Sequence, residues 1–305
     1  MSAQTTTRGT ARTRRPTPPR ADRPAIRQAH HRAKLLPTVV LLIGAFYCLV
    51  PIAWIVIAAT KSQSDLFSTF TFQPGDGLVD NLRDLFAYSD GLYGQWALNS
   101  LLYAGVGSLL CTVISAAAGY AFSRYSFRGR NALFYMILAG VLLPGMTLAI
   151  PQYLIMSELN IVGSYWSVLL PGLISPFAIY LARIYADASI PASFIESARI
   201  DGASEYRIFA TIGMPMMLPG MVTIFMLQFV SNWNNFLLPF IMLADESKYP
   251  INLGLYTVLS KGSGEPSLYG IAITGTAVSI IPLIALLLFL QRFWRLDMIS
   301  GGLRG

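Results

Sequence analysis

The chain has 305 residues, of which 54% are apolar and only 12% charged, and its mean hydropathy is +0.54. A soluble domain carries about 25% charged residues, so this chain has more apolar surface than a soluble globule of its size can bury. Composition therefore excludes disordered, collagenous and disulfide-built chains and predicts an all-α membrane protein.

Residues 1–34 hold nine of the 22 basic residues against one acid, Asp22, so the net charge of +7 belongs to this segment and the rest of the chain is nearly neutral. With Pro16, Pro18, Pro19 and Pro24 and few large apolar residues, it reads as a disordered basic tail. No folded basic domain follows it, which argues for a cytoplasmic anchor beside anionic lipid and against nucleic-acid binding. The Arg14-Arg15 pair is followed by an apolar run too long for a signal peptide, so the first span reads as an uncleaved anchor.

A membrane-spanning helix needs about 20 apolar residues. Charge-free runs of that order occur six times, at 35–60, 97–123, 131–157, 161–182, 208–244 and 266–291. At 1.5 Å per residue the fifth run is about 55 Å of helix, longer than a hydrocarbon core of about 30 Å. Pro215 and Pro219 mark a break by their missing N–H groups, which places the fifth span at 217–243. The expected organisation is the tail 1–34, a first span 35–60, an external loop 61–96, a five-helix core 97–291 containing a cytoplasmic loop 187–215, and a cytoplasmic tail 292–305.

Lysine and arginine set the orientation. With the amino terminus inside, eighteen basic residues fall in inside segments and four (Lys61, Arg83, Lys248, Lys261) outside, which predicts both termini in the cytoplasm. Ser100, Ala104, Ser108, Thr112 and Ala116 recur at four-residue steps on the second span, a small face for packing either within the chain or against another subunit. No span carries an ionisable acid or base, which argues against a proton- or sodium-coupled carrier.

Catalytic patterns are missing. The sequence holds no phosphate-cradling G-x-x-x-x-G-K-[ST], no H-E-x-x-H and no G-x-S-x-G, and its two histidines, His30 and His31, are adjacent in the tail. Cys48 and Cys111 lie in apolar runs with no metal-ligand spacing. The reading is a non-enzyme with no catalytic residue, metal or cofactor of its own.

The informative stretch is 189–219, SIPASFIESARIDGASEYRIFATIGMPMMLP. Ser193 and Glu196 form an S-x-x-E capping box that would start a short helix at 193–201, and Gly202 supplies the stop. A second helix starts at Ser204. Phe194, Ile195 and Ala198 give the first helix an apolar face that needs a partner, because two turns are not stable alone in water.

The spacing of Glu196, Ser197 and Ala198, then Gly202, then Ile212 and Pro215 resembles the E-A-A…G…I-x-L-P signature of permease subunits of binding-protein-dependent ABC importers, with Ser197 and Met214 as mild departures. Asn99-Ser100-Leu101, Tyr120-Ala121-Phe122, Trp233-Asn234 and the Gly301-Gly302-Leu303 ending are similar to the carbohydrate branch, in particular its maltose-type second permease. The resemblance implies a type I importer permease fold in the cell (inner) membrane. It further implies a second permease subunit in a heterodimer, two subunits that bind the ATP, and an extracytoplasmic sugar-binding protein. In that scheme Phe194, Ile195, Glu196, Ser197, Ala198, Gly202, Ile212 and Pro215 couple to the ATPase, with Glu196 facing its basic groups. Asn232, Trp233, Asn234 and Asn235 are the densest polar cluster in any span, placed either to meet sugar hydroxyls on a translocation path or to bond helix to helix. The expected cargo is an oligosaccharide, the alternatives being glycerol phosphate or another polar solute; a secondary carrier is the reading from a different class.

Overall fold

The computed structural model describes the backbone of residues 23–301 and the side chains of 37–291 and 293. In chain order its α-helices are α1 (Arg23–Ala58), α2 (Asp65–Ser68), α3 (Leu78–Ala87), α4 (Leu92–Leu101), α5 (Gly107–Arg124), α6 (Arg130–Ala139), α7 (Gly145–Glu158) and α8 (Tyr165–Gly172). They continue with α9 (Pro176–Ser189), α10 (Ala192–Ile200), α11 (Glu205–Ile208), α12 (Met214–Trp233), α13 (Leu237–Met242), α14 (Ile251–Lys261) and α15 (Ser267–Gly301). No strand occurs among the described residues. The chain divides into two compact units at Pro51, and the first contributes, among described residues, only the helical stretch from Arg23.

Four stretches are long and apolar enough to cross a membrane, Pro37–Ala58, Leu78–Arg124, Glu205–Trp233 and Ser267–Gln291. Two broken pairs, α6 with α7 and α8 with α9, bring the number to six when each pair is one span. The pairs bend by 107° and 42°. Both bends sit at prolines: Leu143 precedes Pro144 and Ser175 precedes Pro176, and each pre-proline residue takes the extended conformation that the following ring demands. Ser175 then caps α9 by accepting a bond from the Ala178 amide at 3.3 Å.

Two expectations are corrected. Residues 23–34 are the start of α1, not disordered, because Pro24 is tolerated in a first helical turn and alanines follow it; the rest of the basic tail, 1–22, lies outside the described residues, as do the last four. Pro215 and Pro219 do not break the fifth span, which runs unbroken from Glu205 to Trp233 in place of 217–243. A wider π-turn at Phe209–Gly213 makes room for the Pro215 ring against the carbonyl four residues back. The span ends instead at Asn234, ahead of the short α13. The sixth span ends at Gln291 as expected, and helix α15 continues beyond it to Gly301.

Helices α5, α9 and α12 pack on one another around Tyr120, Ala178, Ala182, Ala186, Met217 and Ile224. The small face of the second span, Ser100 to Ala116, is wholly buried, its Ser108–Ala116 end in this packing and Ser100 and Ala104 in the second core, so its partners are helices of the same chain. Gly119 permits the closest approach: a Cβ there would stand 2.6 Å from the Ala182 backbone. A second core forms around Trp96, Phe229, Trp233, Leu255 and Val258, where α4, α12, α14 and α15 meet.

Candidate functional site

The loop between the fourth and fifth spans is a helix, a tight stop and a helix. Helix α10 starts at Ala192 behind Pro191, whose extended backbone (φ −67°, ψ 141°) serves as the N-cap without a side-chain bond. The capping box predicted at Ser193 and Glu196 is therefore not formed, since Ser193 already lies inside the first turn. The helix ends in a Schellman motif: the Gly202 amide donates to the Arg199 carbonyl and the Ala203 amide to the Ala198 carbonyl, both at 3.0 Å. Gly202 has φ +77°, the left-handed backbone that such a stop requires. Ser204 opens α11 by accepting from the Arg207 amide at 3.4 Å.

The apolar face expected of α10 is split. Ile195, 3% exposed, and Ala198 pack inward against Tyr120, Ile190, Ile208 and Met217, so their partner is this chain's own helices. Phe194 points the other way and is 54% exposed, beside Glu196 and Ser197 on the open side. Two residues the sequence reasoning missed share that exposure, Ile200 at 87% and Tyr206 at 82%. Their signal was present: Ile200 is five residues from Ile195, about 140° around a helix, so both cannot face the same core. Ile212 is half-buried against the inner core, and Pro215 is exposed.

Charged groups fix the loop. Arg199 pairs with Glu205 across the turn. The Tyr125 phenol, at the end of α5, stands beside the same carboxylate; burial, reinforced by Glu205, pushes it up to about 12, so it stays a proton donor. At the neighbouring helix ends, Arg124 donates to the Ala186 carbonyl at 2.6 Å, and the Ser123 hydroxyl to Asp187 at 2.6 Å. A cation on the last carbonyls of α9 complements the negative end of its dipole. Ile195 thus packs α10 on the core formed by α5, α9 and α12, and the Arg199–Glu205 pair ties it to α11.

The four residues Asn232, Trp233, Asn234 and Asn235 do not act as one group. Asn232 donates to Ser108 at 3.0 Å, a bond between the fifth and second spans. Trp233 is buried and stacks on Phe229, and its carbonyl accepts from Asn252 at 2.9 Å. Asn234 turns back to the Val230 carbonyl. Asn235 remains half-buried on the wall of a cavity of about 340 Å³, with Gln152, Ser231, Gly145 and Gly172. This cavity lies beside the breaks of the third and fourth spans and the end of the fifth. Gln228 adds a polar bond nearby, to Ser175 at 2.9 Å.

Residues 97–297 match the family model described as binding-protein-dependent transport system inner membrane component. The chain is 32% identical over 264 residues to the arabinooligosaccharides transport system permease protein AraQ of Halalkalibacterium halodurans, covering 86% of this chain and 93% of the relative. It is 31% identical to the lactose transport system permease protein LacG of Rhizobium radiobacter, over 83% of this chain and 90% of that one. Among solved structures it resembles a chain of a bacterial ABC transporter involved in the import of the acidic polysaccharide alginate, with a TM-score of 0.75 and 25% identity over 90% of this chain and 99% of the other.

Proposed function

The chain belongs to the family of inner membrane components of binding-protein-dependent transport systems, and from that premise we propose that it is the permease that carries a sugar, an oligosaccharide in the first instance, across the cell membrane. The arabinooligosaccharide and lactose transport names of its relatives support that class of cargo. The observation that carries the coupling role is the divided α10: Ile195 is locked into the helices while Phe194, Glu196 and Ile200, with Tyr206 of the adjoining α11, are presented outward.

In this reading the outward face of α10 seats on an ATP-binding subunit. Phe194, Ile200 and Tyr206 supply apolar area worth about 25 cal/mol per Å² buried, and Glu196 supplies a charge for a basic group of that subunit. Two ATP-binding subunits hold and hydrolyse the nucleotide; this chain binds none and has no catalytic residue. When they close, α10 moves as a lever, Gly202 and the Arg199–Glu205 pair keep α11 in step with it, and Ile195 with Ile212 passes the motion to the packed spans. The wide turn ahead of Pro215 is the place where the fifth span can absorb that motion without breaking backbone hydrogen bonds.

The path for the sugar runs along the cavity beside the two broken spans and the end of the fifth. Asn235, Gln152 and Ser231 offer donors and acceptors to hydroxyl groups there, while Asn232, Trp233 and Asn234 hold the helices that frame it. A second permease of a heterodimer closes the other side, and an extracytoplasmic sugar-binding protein delivers the cargo.

Reconstitution tests this reading. The chain, a second permease, the ATP-binding subunits and the binding protein are placed in liposomes, and uptake of labelled oligosaccharide is followed with and without ATP. Uptake without ATP, or nucleotide hydrolysis by this chain alone, would refute it. Sidedness is tested with single cysteines at the exposed positions Asp76 and Ser204 in a background lacking Cys48 and Cys111. An impermeant thiol reagent should label the first and not the second in intact cells.

A further inference from the structure

The first span ends at Ala58, and three residues later stands Lys61, only 4% exposed. Its ammonium has three N–H donors. One goes to the Phe70 carbonyl at 2.8 Å. Among the described residues no carboxylate lies within ion-pair distance of it, since the ion pairs are Arg183–Asp187, Arg199–Glu205, Lys248–Asp245 and Lys261–Glu246. The acid nearest in sequence, Asp65, is taken by the Ser62 hydroxyl at 2.6 Å.

The backbone at this lysine is held firmly. Asn81 donates to the carbonyls of both Ala59 and Lys61 at 2.8 Å, and the Gly77 amide to that of Thr60 at 2.7 Å. The loop lies so close that a Cβ on Gly75 would stand 2.9 Å from the Lys61 Cα. Lys61 also lines a cavity of about 390 Å³ whose other walls include Trp54, Phe67, Leu259, Tyr269 and Ile273. These come from the last turns of α1 and α14, the first turns of α15, and α2.

A buried cation with a single neutral acceptor is costly, and the cost falls when an anion pairs with it. The cavity sits at the termini of two membrane spans, with tryptophan and tyrosine on its walls, the composition of the headgroup level of a bilayer. We propose that it is a binding site for an anionic phospholipid, with the phosphate on Lys61 Nζ and the acyl chains on the exposed faces of Trp54 and Leu259. A protein carboxylate would satisfy the charge but not the apolar walls contributed by the span ends. The inference goes beyond the transport reading and requires only that the chain lies in a membrane.

The test uses the assembled importer in neutral detergent, titrated with phosphatidylglycerol or phosphatidylcholine and read by native mass spectrometry. Phosphatidylglycerol should be retained in preference to phosphatidylcholine, and Lys61→Gln should weaken that retention about fivefold, the value of one cationic side chain at a membrane surface. Lys61→Arg should restore it. Equal retention by the unmodified and Lys61→Gln assemblies would overturn the proposal, and so would the absence of any preference in the unmodified assembly, a comparison that stands even if Lys61→Gln fails to assemble. Displacement of the lipid by millimolar inorganic phosphate would mark a free-anion site and overturn the lipid assignment. Loss of the binding protein with lipid retention unchanged would assign Lys61 to a protein carboxylate instead, against the proposal.

Discussion

Arg199 and Glu205 face each other across the Gly202 turn, with Nε 2.7 Å from Oε1 and Nη2 3.2 Å from Oε2. Two parallel bonds of this kind fix an angle as well as a distance, and here the angle is that between α10 and α11. Hydrogen bonding from Arg199 holds the Glu205 carboxyl below its ordinary value, so the pair is lost only when the pH falls through that lowered value.

Because both side chains are roughly half-exposed, the pair adds little to global stability, and its contribution is to position α10. Glu205→Gln should leave the melting temperature of the assembly unchanged while amide exchange across 192–204 accelerates and substrate-stimulated ATP hydrolysis falls severalfold. The charge-swapped pair Arg199→Glu with Glu205→Arg should recover most of that loss. Unchanged exchange in Glu205→Gln would remove the pair from any positioning role.

The two sides of α10 separate stability from association. Ile195→Ala opens a cavity in a packed core and should cost about 2–5 kcal/mol, seen as a lower melting temperature of the assembly. The double variant Phe194→Ala, Ile200→Ala removes only exposed surface, so the melting temperature should hold while the ATP-binding subunits co-purify less well. If the outward variant melted early and kept its partners, the division of the helix into inner and outer faces would be wrong.

Much of this was legible in the sequence because it depends on local chemistry. Span positions follow from runs without charge, and the Gly202 stop follows from the need for a positive φ after two helical turns. The capping box failed for a reason visible only in three dimensions: Pro191 is the N-cap, two residues ahead of Ser193. The fifth span was misplaced because proline was read as a breaker, whereas a wide turn at 209–213 accommodates it. The Asn232–Asn235 cluster reads as one polar patch, but α12 ends at Trp233, so Asn235 leaves the helix and reaches the cavity while Asn232, still on the helix, bonds across to Ser108. Lys61 showed nothing in sequence beyond a flanking charge; its burial is set by residues 70–81 folding back over it.

Close packing at the other end of the fold gives a stability prediction. A Cβ on Gly254 would stand 2.2 Å from the Trp96 ring, which is itself buried and anchored by its N–H to the Glu246 carbonyl at 2.8 Å. Gly254→Ala should therefore destabilise by about 1–3 kcal/mol through overpacking, although alanine is the better helix former. A thermal shift assay on the purified assembly checks the sign; a gain in melting temperature would mean that the indole moves aside freely.

The Gly202 series isolates backbone strain from every other effect. A Cβ added there meets no atom within 4 Å, so a substitution is not opposed by crowding, only by the φ of +77°. Asparagine tolerates that conformation, alanine pays roughly 1 kcal/mol, and a β-branched valine pays more, about 1–2 kcal/mol or above. If α10 is the lever, the loss of coupling should follow the same order, with Gly202→Asn close to the unmodified chain, Gly202→Ala reduced and Gly202→Val lowest. Uptake of labelled sugar and stimulated ATP hydrolysis, measured on the same proteoliposomes, should fall together, and all three variants should insert in the membrane in equal amounts. A flat series, with valine transporting as well as asparagine, would show that the turn is not part of the coupling device; a fall in uptake without a fall in ATP hydrolysis would place the defect in the path and not in the loop.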